Sequence, residues 1–207
     1  MLYLATVSSP AIRQAMTAGM LGTMMTERQG YARGLFERVT WAADNECFSQ
    51  GDRFDFDRFV AFLGSFSPAA SARCLFATAP DVVGDAAATL ERFDPDPIRA
   101  AGFPVAFVTQ DGAADLPMPW GEFDVLFTGG STAWKLSDAA AGLHAEARAR
   151  GLRTHMDRVN TRRRIMLAAR DGYDTVDGTG LAFAPDVNLP KLLRWMDGAN
   201  RQATLFT

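Results

Sequence analysis

Short apolar runs of strand length alternate along the chain with stretches of helical period. The runs Leu2–Val7, Val39–Asp44, Arg73–Ala79, Pro104–Gln110, Asp124–Thr128, Arg153–Met156 and Thr175–Asp177 are bounded by turn residues and predict strands. Between them, helical spacing predicts helices over Pro10–Ala18, Phe56–Leu63, Asp85–Phe93, Trp134–Arg150, Thr161–Arg170 and Leu189–Gly198. The Met-rich stretch Met20–Thr26 reads equally as a helix end or an eighth strand. Repeated β-α units imply a parallel sheet, and this many units in 207 residues predict one α/β domain over 1–207, a (β/α)8 barrel with trimmed helices. An open doubly wound sheet is the rival, but no G-x-G-x-x-G follows the first strand and no Walker A motif occurs.

A chain of 207 residues is long enough to bury a sizeable core without disulfide or metal staples. Cys47 and Cys74 lie in or beside apolar runs without C-x-x-C spacing, which predicts reduced thiols and no structural zinc. The first residues carry no basic segment ahead of their apolar run, and no stretch has the ~18 apolar residues of a membrane span, so the expectation is a soluble, cytoplasmic protein. The net charge of −3 argues against a non-specific nucleic-acid coat. It is unevenly spread, however. Arg148, Arg150, Arg153, Arg158, Arg162, Arg163, Arg164 and Arg170 stand against Asp157 alone, while Asp52, Asp55, Asp57, Asp81 and Asp85 weight the first half towards acid.

In parallel barrels the loops after the strands carry the chemistry. In those slots the sequence places Asp44-Asn45-Glu46-Cys47-Phe48, Asp81 with Asp85, Gln110-Asp111-Gly112, Gly129-Gly130, His155 through Asn160, and Asp177-Gly178-Thr179. Each also has an ordinary structural reading. Asp81 and Asp85 could cap the helix from Ala86, Asn160 could cap the helix from Thr161, and the Asp-Gly and Gly-Gly pairs are turn dipeptides. The recurrence of acids, an amide and a glycine pair in one structural slot is what points to a shared pocket. His144 falls mid-helix and is expected on the surface; His155 is open between structure and function.

The order of these segments resembles the tRNA-guanine transglycosylase superfamily, barrel enzymes that exchange guanine in nucleic acid for a 7-deazaguanine. Asp44-Asn45-Glu46-Cys47-Phe48 stands in the place of that family's Asp-Ser-Gly-Gly-Phe, Asp81 in that of its base-reading aspartate, and Gln110-Asp111-Gly112 in that of its Gln-Gly-Gly. Gly129-Gly130 matches a glycine pair at a strand end, and Asp177 the nucleophilic aspartate after an Ala-rich helix. The resemblance spans roughly Val39 to Thr179, and the order of the motifs carries it rather than any one of them. About thirty residues follow Asp177 and none is a cysteine, so the zinc subdomain of the tRNA enzymes has no counterpart there. That favours the compact phage-type relatives acting on DNA.

The resemblance implies roles. Asp177 would be the nucleophile that captures C1′ and Asp44 the general acid/base, with no cofactor or metal demanded. Asp81 would accept from guanine N1–H and N2–H₂, Gln110 and the Gly130 N–H would donate to O6, and Gly129, Asn45 and Phe48 would complete the base site. DNA and a guanine or 7-deazaguanine base are the implied partners, with Arg158, Arg162, Arg163 and Arg164 as phosphate contacts or else a solvated helix face. Two rivals stay open: a glycoside hydrolase or nucleosidase using the same aspartates, and a non-catalytic nucleic-acid-binding barrel.

Overall fold

The computed structural model describes residues 1–29 and 33–204. Eight parallel strands close into a barrel in sequence order: β1 (Leu2–Ala5), β2 (Gly22–Thr26), β3 (Trp41–Asp44), β4 (Cys74–Thr78), β5 (Val105–Thr109), β6 (Val125–Thr128), β7 (Arg153–Met156) and β8 (Thr175–Asp177). β8 returns to β1 with Leu4 opposite Asp177, so the barrel has no free edge. The ambiguous Met-rich stretch is β2, buried along its whole length.

Helices α1 (Pro10–Thr17), α2 (Cys47–Gln50), α3 (Phe56–Leu63), α4 (Pro68–Ser71), α5 (Ala86–Arg92), α6 (Asp96–Ala100), α7 (Thr132–Lys135), α8 (Asp138–Ala149), α9 (Arg162–Asp171) and α10 (Pro185–Thr204) surround it. The helix expected over Trp134–Arg150 is two, because the Ser137 side chain caps a new helix by accepting from the Ala140 N–H. The closing helix starts a turn earlier than expected and carries Pro190 inside it, the residue that reads in sequence as a first-turn proline. Asp85 caps α5 as anticipated, but Asn160 does not cap α9. Thr161 does, and the Asn160 Oδ1 instead accepts from the Gly180 N–H at 3.0 Å.

Strand alternation divides the core. Leu4, Met24, Ala42, Phe76, Val108, Val125 and Phe127 fill the barrel, while neighbours such as Tyr3, Ala5, Trp41 and Ala43 face the helices. On β4 the register against β3 shifts between the Trp41–Cys74 and Ala43–Ala77 pairs. That irregularity sends Cys74 outward and Phe76 inward although their positions share parity. Cys47 and Cys74 are buried free thiols. Among the described residues, no helix is long and apolar enough to cross a membrane.

Candidate functional site

Because every strand runs the same way, the strand-end residues meet at one mouth of the barrel. Asp44 ends β3, Asp177 ends β8, and Asp81, Gln110 and the Gly129-Gly130 pair follow β4, β5 and β6. All of them line one cavity of about 270 Å³, together with Asn45, Phe48 and Arg158. Arg162, Arg163 and Arg164 stand outside it on α9.

The wall from β3 to β5 is a hydrogen-bonded block. The Asn45 backbone N–H donates to Thr78 Oγ1 at 2.8 Å, and its amide donates to Ala79 O at 2.7 Å and Asp81 Oδ1 at 3.2 Å. The Asn45 Oδ1 accepts from the Cys47 N–H at 2.8 Å. Gln110 spans the next gap, donating to Asp81 Oδ2 at 2.8 Å and accepting from the Gly84 N–H at 2.9 Å. Asn45 is thereby a brace, both its amide hydrogens being committed, whereas Gln110 keeps one N–H for another acceptor. Burial pushes the Asp81 carboxyl above its ordinary range, against the pull of bonds from Asn45, Cys47 and Gln110.

Asp44 sits between this block and the opposite wall. Burial, resisted by the bond from the Glu46 N–H, and then the charges of Asp177, Asp81 and Glu46 push its carboxyl up to about 7. Glu46 adopts a left-handed φ of 61°, a conformation that costs a non-glycine residue roughly 1–2 kcal/mol, and its N–H donates to Asp44 Oδ1 at 3.2 Å.

The wall from β7 to β8 is built from charges. Asp177 Oδ1 accepts from the Arg158 N–H at 2.9 Å and lies 3.4 Å from His155 Nε2. His155 is fully buried inside the barrel against Phe76 and Phe127, and its Nδ1 is bonded to Thr175 Oγ1 at 2.8 Å. Arg158 also has left-handed backbone, φ 52°. Its guanidinium bonds Asp157 Oδ2 at 3.0 Å and lies 4.8 Å from the centre of the exposed Phe48 ring, across the mouth from α2. Behind it the buried Lys135 ammonium pairs with Asp157 Oδ1. Beside Asp177, burial and then that carboxylate's charge push the Tyr3 hydroxyl far up.

Two glycines fit this mouth for steric reasons. A Cβ at Gly129 would lie 2.8 Å from Val108 Cγ1, and one at Gly130, where φ is 78°, would meet Asp111 Oδ2 at 2.6 Å.

Two expectations change here. The four arginines are not one helix face: Arg158 belongs to the loop, and Arg164 donates to the Arg158 carbonyl at 3.1 Å and to Thr132 Oγ1 at 3.3 Å, bracing that loop. Arg162 and Arg163 are exposed on the first turn of α9. His144 is buried, not on the surface, because it shares the inward face of α8 with Ala140 and Ala147 and stacks on Tyr173 at 3.9 Å. Burial, then the charge of Arg148, push it down to about 4. Sequence reasoning passed over Lys135 and did not select Asp157, although Asp157 follows β7 in the same slot that flagged the others. Among the described residues, no group of three His, Cys, Asp or Glu side chains is placed to hold a metal ion.

No protein-family model matches this chain, and no curated protein matches it in sequence. Solved structures do. A tryptophan synthase chain from M. tuberculosis superposes with a TM-score of 0.55 at 14% identity, over 95% of this chain and 89% of that one. A 3-hexulose-6-phosphate synthase from Salmonella typhimurium gives 0.55 at 14% identity, over 98% and 99%. A 4-hydroxy-2-oxoglutarate aldolase from TTHB1 gives 0.54 at 12% identity, over 96% and 92%. At such identities the likeness establishes the (β/α)8 barrel alone. None of these three is a transglycosylase, and they lend no support to base exchange.

Proposed function

We propose that this barrel is an enzyme that exchanges guanine in DNA for a 7-deazaguanine such as preQ0, by way of an aspartyl–glycosyl intermediate. The observation that carries the reading is the pairing, in one cavity, of Asp44, its carboxyl pushed up to about 7, with Asp177 held by the Arg158 N–H. A carboxyl near 7 both gives and takes a proton at neutral pH, which a base exchange needs in its two halves. In the first half the Asp177 carboxylate attacks C1′, the C1′–N9 bond breaks, and Asp44 gives its proton to the departing guanine. In the second, Asp44 takes the N9 proton of the incoming base, N9 attacks C1′, and Asp177 leaves, with net retention.

Asp81 is the proposed reader of guanine N1–H and N2–H₂, set in position by Asn45 and Gln110. The free Gln110 N–H and the Gly130 N–H are the proposed donors to O6. A cavity of about 270 Å³ suits one base with its sugar and not a duplex, so the target must leave the stack. Arg162 and Arg163 are the proposed phosphate contacts.

The test is incubation with guanine-containing DNA and preQ0, followed by digestion to nucleosides and mass spectrometry. The reading predicts a deazaguanine nucleoside and released guanine in equal amounts over many turnovers, with no more than one guanine released per enzyme when the added base is left out. Guanine release beyond that limit and abasic sites without added base would instead identify a hydrolase, and DNA left unchanged would contradict the proposal.

A further inference from the structure

Among the described residues six large apolar side chains are exposed. Phe48 and Val83 line the cavity, Leu136 lies at the end of α7, Phe183 and Val187 lie between β8 and the first turn of α10, and Met20 lies just before β2. Single exposed apolar residues are ordinary, so the backbone that carries each one is what distinguishes it.

Phe183 is the most exposed of them at 73%, with Val187 one helical turn on at 68%. The loop that carries Phe183 is firmly tied. Ser8 Oγ donates to Leu181 O at 2.6 Å, the Gly180 N–H to Asn160 Oδ1 at 3.0 Å, and the Asn188 amide to Phe183 O at 2.7 Å. Leu181 is buried, and Ala184 takes a left-handed φ of 44°. A phenyl ring is thus held outward on a bonded backbone. Its anchor Asn160 lies next to Thr161, the cap of α9, whose first residues Arg162 and Arg163 are exposed. Exposed guanidinium groups on the segment that is tied to the loop of an exposed aromatic suit a partner that is anionic along its backbone and flat in its side groups.

We infer that Phe183 is a stacking platform for an unpaired nucleobase beside the one held in the cavity, so that the barrel engages single-stranded or locally opened DNA. This rests on the nucleic-acid reading above. In a continuous duplex both faces of every base are covered by neighbours, whereas removal of one base uncovers a face of the next. Stacking is tolerant of sequence and contributes no phosphate neutralisation, which separates it from the arginines.

The test measures fluorescence anisotropy of a labelled, guanine-containing single-stranded oligonucleotide across a salt series, with the wild type, Phe183→Ala and Phe183→Trp. Phe183→Ala should weaken binding roughly 5- to 100-fold with an unchanged salt slope, and Phe183→Trp should bind as the wild type does. Unchanged affinity in Phe183→Ala, or a loss that appears only as an altered salt slope, overturns the platform. Wild-type protein that binds no oligonucleotide overturns it together with the nucleic-acid reading, whereas wild-type base exchange alongside normal Phe183→Ala binding overturns the platform alone.

Discussion

The two walls of the cavity are built from different materials. From β3 to β5, Asn45, Asp81 and Gln110 form a buried block in which nearly every polar atom is bonded to a fixed partner. From β7 to β8, the Arg158 backbone N–H holds Asp177 while the half-exposed Arg158 guanidinium and the buried Lys135 ammonium share Asp157, with left-handed backbone at Arg158. A fixed hydrogen-bonded frame suits selection, because a wrong ligand leaves a buried group unpaired. A charged, backbone-anchored wall suits chemistry and attachment to an anionic polymer. Asp44 lies between them and feels both, through the charges of Asp81 on one side and Asp177 on the other.

Substitutions should separate these assignments. The nucleophile apart, the largest effect is expected at Asp44, where Asp44→Asn removes the proton carrier and should lower turnover by roughly 10²- to 10⁴-fold in steady-state exchange assays. The same variant should change the pH dependence of stability. The folded Asp44 titrates at about 7, above the ordinary carboxylate range, so its contribution is fully present below about pH 4 and is lost as pH rises through 7. Asp44→Asn should therefore reduce the fall in thermal midpoint between about pH 5 and about pH 8; an equal fall in both proteins would place the titration elsewhere.

On the hydrogen-bonded wall, Asp81→Asn should raise KM for guanine-type bases by about 10- to 100-fold and narrow the gap between guanine and adenine, with a smaller effect on turnover. A uniform loss for every base would reduce Asp81 to a structural group. Outside the cavity on α9, Arg162→Ala with Arg163→Ala should leave base choice untouched and flatten the salt dependence of DNA binding by ~0.7 to 0.9 per lost contact. Arg164→Ala should act differently, loosening the Arg158 loop and lowering turnover while leaving the slope unchanged, since its guanidinium is bonded within the chain.

The same contrast explains what could be read from the sequence. Strands and site carboxylates were legible because a parallel barrel turns position after an apolar run into position around a mouth, and Asp44, Asp81 and Asp177 each occupy that slot. The split of α7 from α8 was less so, because a single Ser137 cap interrupts an otherwise continuous helical pattern. Partners were not legible at all. That Asn45 serves Asp81, that Arg164 serves Arg158, and that His144 turns inward onto Tyr173 depend on which residues distant in sequence meet in space. His155 shows the limit well: its identity is plain in the sequence, but its place between Thr175 and Asp177 emerges only once β7 lies beside β8.

The central claim is that Asp177 forms a bond to the sugar, and the most direct measurement looks for that bond. Wild-type protein mixed with guanine-containing DNA, quenched in denaturant without added base and resolved by denaturing electrophoresis and intact mass, should yield a covalent protein–DNA adduct. The adduct should disappear when guanine or preQ0 is added before the quench, and it should be absent from Asp177→Asn protein that still binds DNA. An adduct of undiminished yield in Asp177→Asn, or exchange in the wild type with no adduct at any time, would contradict the account.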